Sequence, residues 1–287
     1  MGIKKSAKGV CKKLNSLFLS AKYKRLNRHG GSISACDPFS QVTVSLTSYG
    51  DRVKTVYLAI ESIAHGLLRP KRLILYIDEL AIFENLPIEL KRLQDRGLEI
   101  VKCENYGPHK KYYPFILSKN DKLPFATADD DVFYPKEWLF ELLEAHRSAP
   151  EIIHAHRAKR IKLIEGAKGF APYREWSYAP PKTPSAANFA TGEAGVIYPH
   201  SFALALRAAG SGFMELCPKS DDIWLHKQAI SHGYKIMQIG KILDLLPIPK
   251  SQKDALHLLN VGQNQNDLQI AATYSPRDIA LVAGKNP

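Results

Sequence analysis

The stretch Pro124-Phe-Ala-Thr-Ala-Asp-Asp-Asp-Val-Phe-Tyr-Pro-Lys-Glu-Trp138 joins a short apolar run to three consecutive aspartates and then to the start of a helix. Residues 124–128 are predicted to form a buried strand. Pro135 suits the first turn of the helix, whose apolar side begins with Trp138. Strand, acidic turn and helix in this order are typical of open parallel sheets, whose ligands bind beyond the carboxyl ends of the strands.

Strands and helices alternate on both sides of this stretch. Further strands are predicted at 42–47, 72–78, 98–103, 196–198 and 235–239. Helices are predicted from Asp51, as N-cap, to about Leu67, near 87–95, near 110–120, and from Asp221 to Gly233. The alternation predicts an α/β protein with a mostly parallel open sheet in one domain, residues 37–274. Residues 275–287 are expected to form a C-terminal tail.

The N-terminal segment 1–36 differs from the rest of the chain in charge. It holds nine basic residues and no acid, so that residues 37–287 carry only +3 of the net charge of +12. Val10, Leu14, Leu17 and Phe18 recur at the spacing of one helix face. We interpret the segment as a basic amphipathic arm and linker that docks on an anionic membrane surface. A solvated basic tail is an equally weighted alternative, and in either case the domain is expected to fold without the arm.

Composition excludes several classes of protein. The chain of 287 residues has no apolar run of the roughly 18 residues that a transmembrane helix needs, and no signal-peptide pattern. Its four cysteines are scattered, as expected of reduced thiols in a cytoplasmic protein. The sequence offers neither stacking aromatics nor a groove-reading helix, so no nucleic acid is expected as a partner. We therefore expect a cytoplasmic protein, peripheral at the inner face of the membrane if the arm docks.

Two pairs of carboxylates carry the chemistry. In an extended chain Asp129 and Asp131 would share one side with Asp130 opposite, which suits a hard divalent cation, Mn²⁺ or Mg²⁺, that keeps positions for water and phosphates. The alternative is an acidic turn that caps the next helix. Asp221 and Asp222 open a later helix, where a rigid carboxylate could accept a proton from an attacking hydroxyl; a simple N-cap is the alternative there.

These motifs together resemble the family-two-type bacterial glycosyltransferases, which have the Rossmann-like A-type glycosyltransferase fold. The resemblance covers residues 42 to about 240. It rests on a strand followed by Thr47-Ser-Tyr49, a strand ending at Asp78, Asp129-x-Asp131 with Tyr134-Pro-x-x-Trp138, a glycine turn at 192–195, and Asp221-Asp222-x-x-Leu225. Gly107-Pro-His-Lys-Lys-Tyr-Tyr113 and Asp129–Trp138 resemble a subgroup that is linked to surface polysaccharide synthesis.

The resemblance implies an inverting transfer from a nucleoside-diphosphate sugar to a hydroxyl of a glycan or lipid-linked acceptor. It implies Asp222 as catalytic base with Asp221 as helper, and a metal on Asp131 and Asp129. The expected donor-binding residues are Thr47, Tyr49, Arg52, Asp78, Lys111, Asp129 and Asp130, with Lys110 as a further candidate for the diphosphate. The expected acceptor-binding residues are Gly192, Glu193, Gly195 and Trp224, although Trp224 also suits a core position. Glu193 and Ala194 depart from the pattern, in which a further glycine is common.

Other functions and ligands stay open from the sequence. A metal-dependent nucleotidyl- or phosphoryl-transferase also uses paired aspartates, but no G-x-x-x-x-G-K-[ST] phosphate loop occurs. A non-enzymatic basic protein that binds membranes or nucleic acid is the second alternative. His154 and His156 could together bind a metal, although buried hydrogen-bonded histidines are commoner. His257 is a candidate metal cap by the same resemblance.

Overall fold

A computed structural model describes residues 2–29, 33–118, 122–249, 251 and 265–285. In chain order its strands are β1 Thr43–Thr47, β2 Arg72–Ile77, β3 Leu98–Lys102, β4 Phe125–Ala128, β5 Val132–Phe133, β6 Ile153–Ala155, β7 Ala158–Arg160, β8 Ser177–Tyr178, β9 Asn188–Ala190, β10 Val196–Tyr198, β11 Ile236–Gln238 and β12 Leu246–Pro247. Its helices are α1 Gly2–His29, α2 Val56–Ala64, α3 Leu80–Glu84, α4 Ile88–Gln94, α5 Tyr113–Leu117, α6 Trp138–Ser148, α7 His200–Ala209, α8 Phe213–Leu216, α9 Asp221–Ser231, α10 Gln265–Thr273 and α11 Pro276–Val282.

The centre of the fold is a sheet in the order β11-β6-β10-β4-β1-β2-β3. β10 is antiparallel to both of its neighbours, and the other pairs in this sheet are parallel. The predicted α/β class and mostly parallel open sheet are therefore confirmed. A small sheet, β8-β7-β9, and the pair β12-β5 lie beside it.

Apolar side chains cover both faces of the central sheet. Along β2, Leu73, Leu75 and Ile77 belong to one buried cluster, whereas Ile74 and Tyr76 belong to the other. Alternate side chains of a strand point to opposite faces, so a continuous apolar run such as β2 indicates a strand that is buried on both sides. The sheet is thus a rigid layer whose edge can hold a site.

Two helix starts differ from the predictions. Asp51 is not an N-cap: residues Gly50–Lys54 form a 3-10 turn, α2 begins only at Val56, and Asp51 pairs with Lys54 at 2.5 Å. The helix predicted near 110–120 is replaced by a 3-10 turn over Gly107–Lys111 and the short α5.

The N-terminal segment is helical as expected, but it is not separate from the domain. The inner face of α1 packs on α2, α4 and β12. Tyr23 is 4% exposed, and its ring stacks on Phe133 with the centroids 5.8 Å apart. Asn27 donates to Glu61 Oε1 at 3.0 Å. Removal of this helix would expose part of the main core, and the expectation that the domain folds without it stays a prediction.

The predicted C-terminal tail is also wrong for most of its length. Ser275 and Asp278 form a reciprocal capping box at the start of α11. Ser231 at the end of α9 donates to Asp278, which is buried, and Val282 joins the second core cluster. Residues 276–282 are therefore part of the domain.

Candidate active site

A cleft of about 990 Å³ opens at the carboxyl ends of β1, β2 and β4. One wall comes from the first half of the chain, through Thr47, Tyr49, Arg52, Asp78, Glu79, Asn105, Gly107, Pro108, Lys110, Lys111 and residues 128–132. The other comes from the second half, through Arg157, Lys159, Tyr173, residues 191–193, residues 218–222, Leu245, Pro247 and Asn266. The volume lies at the upper end of the range for small-molecule sites, which suits two substrates side by side.

The aspartate triplet lies in a bend and not in an extended strand. Asp130 is buried, where it accepts a hydrogen bond from Ser48 Oγ at 2.6 Å. Arg52 Nη2 lies 2.6 Å from carboxylate oxygens of both Asp130 and Asp131. The predicted alternation, with Asp129 and Asp131 together and Asp130 opposite, is therefore wrong. In this bend Asp130 and Asp131 both pair with Arg52, whereas Asp129 pairs with Lys111.

The residues after the triplet fix its geometry. The Asp129 N–H donates to the Tyr134 hydroxyl at 2.6 Å, and the Tyr134 N–H donates to Ser62 Oγ on α2 at 3.0 Å. Tyr134 also packs against Trp138, whose indole N–H donates to Ala194 O at 2.8 Å. The Tyr-Pro-x-x-Trp segment thus connects the triplet to the glycine turn on the opposite wall.

Lys111 lies between the two acidic motifs. Its ammonium nitrogen is 2.7 Å from Asp129 Oδ1 and 3.3 Å from Asp221 Oδ2. Burial lowers the pKa of Lys111, but Asp129, Asp221 and Asp222 outweigh burial and hold this pKa well above its usual range. A permanently charged lysine here offsets the repulsion between the carboxylates of the two motifs.

The acidic pair at the start of α9 contains one buried and one partly exposed carboxyl group. Asp221 is 7% exposed, and its buried Oδ2 is held by the ion pair with Lys111. Asp222 is partly exposed in the cleft, and its Oδ1 accepts the Gly192 N–H at 3.0 Å. Burial and the neighbouring Asp221 raise the pKa of Asp222 well above its ordinary value, which makes its carboxylate a stronger base.

Two glycines of the 192–195 turn are required by their surroundings. A β-carbon on Gly192 would lie 3.1 Å from Asp222 Oδ1 and 3.3 Å from Lys111 Nζ. Gly195 has a φ of +96°, and a β-carbon there would lie 2.4 Å from the Trp138 ring nitrogen. Gly192 therefore keeps the acidic pair accessible, whereas Gly195 is a packing residue outside the cleft lining.

The strand end after β2 adds a further ion pair. Lys110 donates to Asp78 Oδ1, and both side chains are almost fully buried. The Tyr49 ring lies beneath two cations, with the Arg52 guanidinium carbon 5.5 Å and Lys110 Nζ 5.8 Å from its centroid. His109 anchors the same turn, because its Nε2 is 2.9 Å from Cys217 O. Burial lowers the pKa of His109 to about 4, so the neutral ring holds the turn.

The carboxylates of the cleft are candidate ligands for a divalent cation. Among the described residues, no group of three or more His, Cys, Asp and Glu side chains is arranged around one metal position. Asp129 and Asp131 nevertheless suit a hard cation that takes most of its ligands from water and phosphates. The described lining contains eight carboxyl groups and six cationic side chains, a formal charge of −2 when all of them are ionised, which one divalent cation would balance. The residues therefore fit such an ion, although a cation on Asp131 must share that carboxylate with Arg52 or displace it.

Among the cleft residues that the sequence patterns missed is a basic and aromatic group, Arg157, Lys159 and Tyr173. Arg157 forms an ion pair with Glu193, and Lys159 Nζ lies 3.9 Å from the centroid of the Tyr173 ring. Burial, followed by repulsion from Arg157, lowers the pKa of Lys159. These residues follow β6 and precede β8, in a region without a recognisable motif. The only signal in the sequence was the presence of Arg, Lys and aromatic residues in one region, and the fold is needed to show that they line the cleft.

Five predicted ligands have structural roles or lie outside the described residues. Trp224 is 4% exposed, packs against Phe213 in the second core cluster and does not line the cleft, so its assignment to acceptor binding is wrong. The same correction applies to Gly195. His154 and His156 are buried, and each ring Nε2 lies 2.9 Å from a backbone carbonyl, of Ala149 and Trp138 respectively. His257 lies outside the described residues.

Comparison with solved structures supports the fold assignment. The mannosyltransferase PcManGT from Pyrobaculum calidifontis, in complex with GDP-Man and Mn2+, superposes with a TM-score of 0.53 at 13% sequence identity. The match covers 97% of this chain and 79% of that chain. No family model and no curated protein matches the chain. The chain therefore shares the Rossmann-like α/β fold of that structure, and its cleft lies where open α/β sheets bind their ligands.

Proposed function

We propose that the protein is a metal-dependent glycosyltransferase that uses a nucleoside-diphosphate sugar. The observation that carries the proposal is the meeting of Asp129 and Asp221 at one buried ammonium group, Lys111, in a cleft at the ligand edge of the sheet. The neighbour of like fold holds GDP-Man and Mn2+. A phosphate-binding cation site and a candidate base on opposite walls are the two groups that sugar transfer requires.

The donor is assigned to the first wall. Thr47, Tyr49 and Asp78 follow β1 and β2 and would hold the nucleotide, with Arg52 and Lys110 near the phosphates. Asp131, together with Asp129, would ligate a divalent cation, Mn²⁺ or Mg²⁺. When bound, this cation neutralises charge on the departing diphosphate. Arg52 keeps Asp131 and Asp130 oriented before the donor arrives.

The acceptor is assigned to the second wall, beside Gly192, Glu193, Arg157, Lys159 and Tyr173. Asp222 accepts the proton of the acceptor hydroxyl as the oxygen attacks the anomeric carbon. The bond from that carbon to the diphosphate oxygen breaks, and its electron pair leaves with the diphosphate. One displacement from the opposite face inverts the anomeric configuration. Asp221, which is buried against Lys111, would position this end of α9.

The biological setting follows from the sequence resemblance of residues 107–113 and 129–138. We place the reaction in bacterial surface polysaccharide synthesis, with a glycan or lipid-linked acceptor. Among the described residues, no helix is both long and apolar enough to cross a membrane. We propose peripheral association with the inner face of the membrane, through a surface of α1 that is argued below.

A donor screen tests the proposal. Purified protein is heated with GDP-, UDP- and ADP-sugars, with and without Mn²⁺, because a ligand that binds only the folded state raises the melting temperature. The stabilising donor is then incubated with the enzyme and the products are identified. Free sugar and nucleoside diphosphate support sugar transfer, whereas nucleoside monophosphate and sugar phosphate would instead indicate nucleotidyl- or phosphoryl-transfer. No stabilisation and no turnover with any donor would contradict both.

A further inference from the structure

The exposed side of α1 is apolar at one end and basic at the other. Val10, Leu14, Leu17 and Phe18 are 57%, 61%, 49% and 69% exposed. Lys24 and Arg25 follow Leu17 and Phe18 at seven-residue spacing, close to two helical turns, and are also exposed. We call this surface, Val10, Leu14, Leu17, Phe18, Lys24 and Arg25, the docking face.

The opposite side of the same helix is already used. Ser16, Ser20, Tyr23 and Asn27 are each less than a tenth exposed and pack on the domain. The packing of this inner side fixes the orientation of α1 and holds the apolar stripe in solvent. Four large apolar side chains held in solvent on one helix face are typical of an interaction surface.

The charge around the docking face selects its occupant. Residues 1–36 contain nine basic residues and no acid. Apolar side chains that enter the acyl boundary and lysines that meet anionic headgroups are the two contacts that a helix lying on a lipid surface makes. We infer that the docking face binds the surface of an anionic lipid bilayer.

The position of α1 relates this surface to the cleft. Ser16 Oγ donates to Pro247 O at 2.6 Å, and Lys12 pairs with Asp244 at 2.5 Å. Pro247 lines the cleft. Since the docking face is on the other side of α1, only about one helix diameter, roughly 10 Å, separates this wall from the lipid surface. If the proposed function holds, a lipid-linked acceptor would therefore reach the cleft from the bilayer to which the enzyme is bound.

The test uses the full chain and vesicles of phosphatidylcholine with or without phosphatidylglycerol. Wild type should co-sediment with the anionic vesicles and only weakly with the neutral ones. Leu14→Ser/Phe18→Ser should lower the partition coefficient at least about tenfold, because two large apolar side chains no longer enter the lipid. The matched control, Phe39→Ser/Leu268→Ser, removes equally large side chains that are 86% and 71% exposed elsewhere and should bind like wild type.

Further measurements separate other outcomes. Raising the ionic strength from about 0.1 M to about 1 M, which shortens the screening length from about 10 Å to about 3 Å, should weaken binding to anionic vesicles. Equal sedimentation of wild type and the Leu14/Phe18 variant would overturn the inference. The inference would also be overturned if wild type self-associated without binding the vesicles and the Leu14/Phe18 variant were monomeric, because the docking face would then bind a second copy of the chain. Because vesicle binding needs no donor or acceptor, failure of transfer activity would refute the proposed function and leave this result standing.

Discussion

Replacement of Lys111 by methionine tests directly whether this charge holds the two acidic motifs together. Methionine keeps most of the side-chain length and apolar stem but removes the charge between Asp129 and Asp221, whose oxygens lie 2.7 and 3.3 Å from the ammonium nitrogen. Removal of one partner from a buried ion pair costs about 3–5 kcal/mol, because the remaining charge is left without compensation. At about 2 °C per kcal/mol for a chain of this size, we expect the melting temperature of Lys111→Met to fall by about 6–10 °C.

The pH dependence of this loss is fixed in sign. Lys111 lowers the pKa of Asp222, which burial and Asp221 already raise. Without the lysine this pKa rises further. A carboxyl group whose pKa is higher in the folded than in the unfolded state favours folding when the pH is below its unfolded pKa. That contribution to stability is lost as the pH rises through its folded pKa. The difference in melting temperature between Lys111→Met and wild type should therefore shrink when the pH is lowered from neutral to mildly acidic values.

The assay is thermal unfolding at two pH values, with and without Mn²⁺. A divalent cation near Asp129 replaces part of the missing charge, so Mn²⁺ should stabilise Lys111→Met more than wild type. Lys54→Met is the matched control, since Lys54 pairs with Asp51 at side-chain exposures of 73% and 86%, where solvent screens the pair and its loss should hardly change the melting temperature. A melting temperature for Lys111→Met no lower than that of Lys54→Met would refute the assignment of Lys111 as the charge that holds the two motifs together.

Four further predictions concern single side chains. Asp131→Asn should lose most of the Mn²⁺-stimulated donor hydrolysis while its far-ultraviolet circular dichroism stays that of wild type. Asp222→Asn should lower turnover by about 10²–10⁴-fold with donor affinity little changed, and a larger loss in Asp221→Asn would reverse the two roles. Glu61→Gln should lower the free energy of unfolding by about 3–5 kcal/mol. Burial raises the pKa of Glu61, but hydrogen bonds and charge from its partners lower this pKa overall. The stability that the carboxylate contributes is lost as the pH falls through the lowered pKa, so the free energy of unfolding of the variant should decline less in acid than that of wild type. Lys159→Gln should reduce kcat/KM for the acceptor and leave donor binding, measured by thermal shift, unchanged.

The first half of the fold could be predicted because its signals are local. The apolar runs of β1, β2 and β4 each end at polar residues, and the Asp-x-Asp with Tyr134 and Trp138 follows within ten residues of β4. Parallel strands bring their carboxyl ends to one edge of the sheet, independently of the conformation of the loops that connect them. The sequence therefore places the triplet and the Asp78 strand end at one edge of the sheet before any side-chain geometry is known.

What escaped prediction depends on distant contacts or on a local signal that was overlooked. Arg52 changes the geometry of the triplet from a loop almost eighty residues earlier in the chain, and no periodicity records this pairing. Ser16 and Asn27 look solvent-exposed by residue type, yet they lie on the inner face of α1, where each donates a hydrogen bond to the domain. The C-terminal helix was different, since Ser275-Pro-x-Asp278 is a readable N-terminal helix signal.

The charges of the cleft also constrain how the substrates assemble. Arg52 pairs with both Asp130 and Asp131, and Lys111 pairs with both Asp129 and Asp221, so each of these cations is engaged with two carboxylates of the site. The described lining has a formal charge of −2 when all its groups are ionised, and a nucleoside diphosphate would add further negative charge. Binding of the donor alone is opposed by this field, whereas a divalent cation bound with it balances the lining. In the proposed reaction, linkage would then require metal and donor each to strengthen the binding of the other by the same factor.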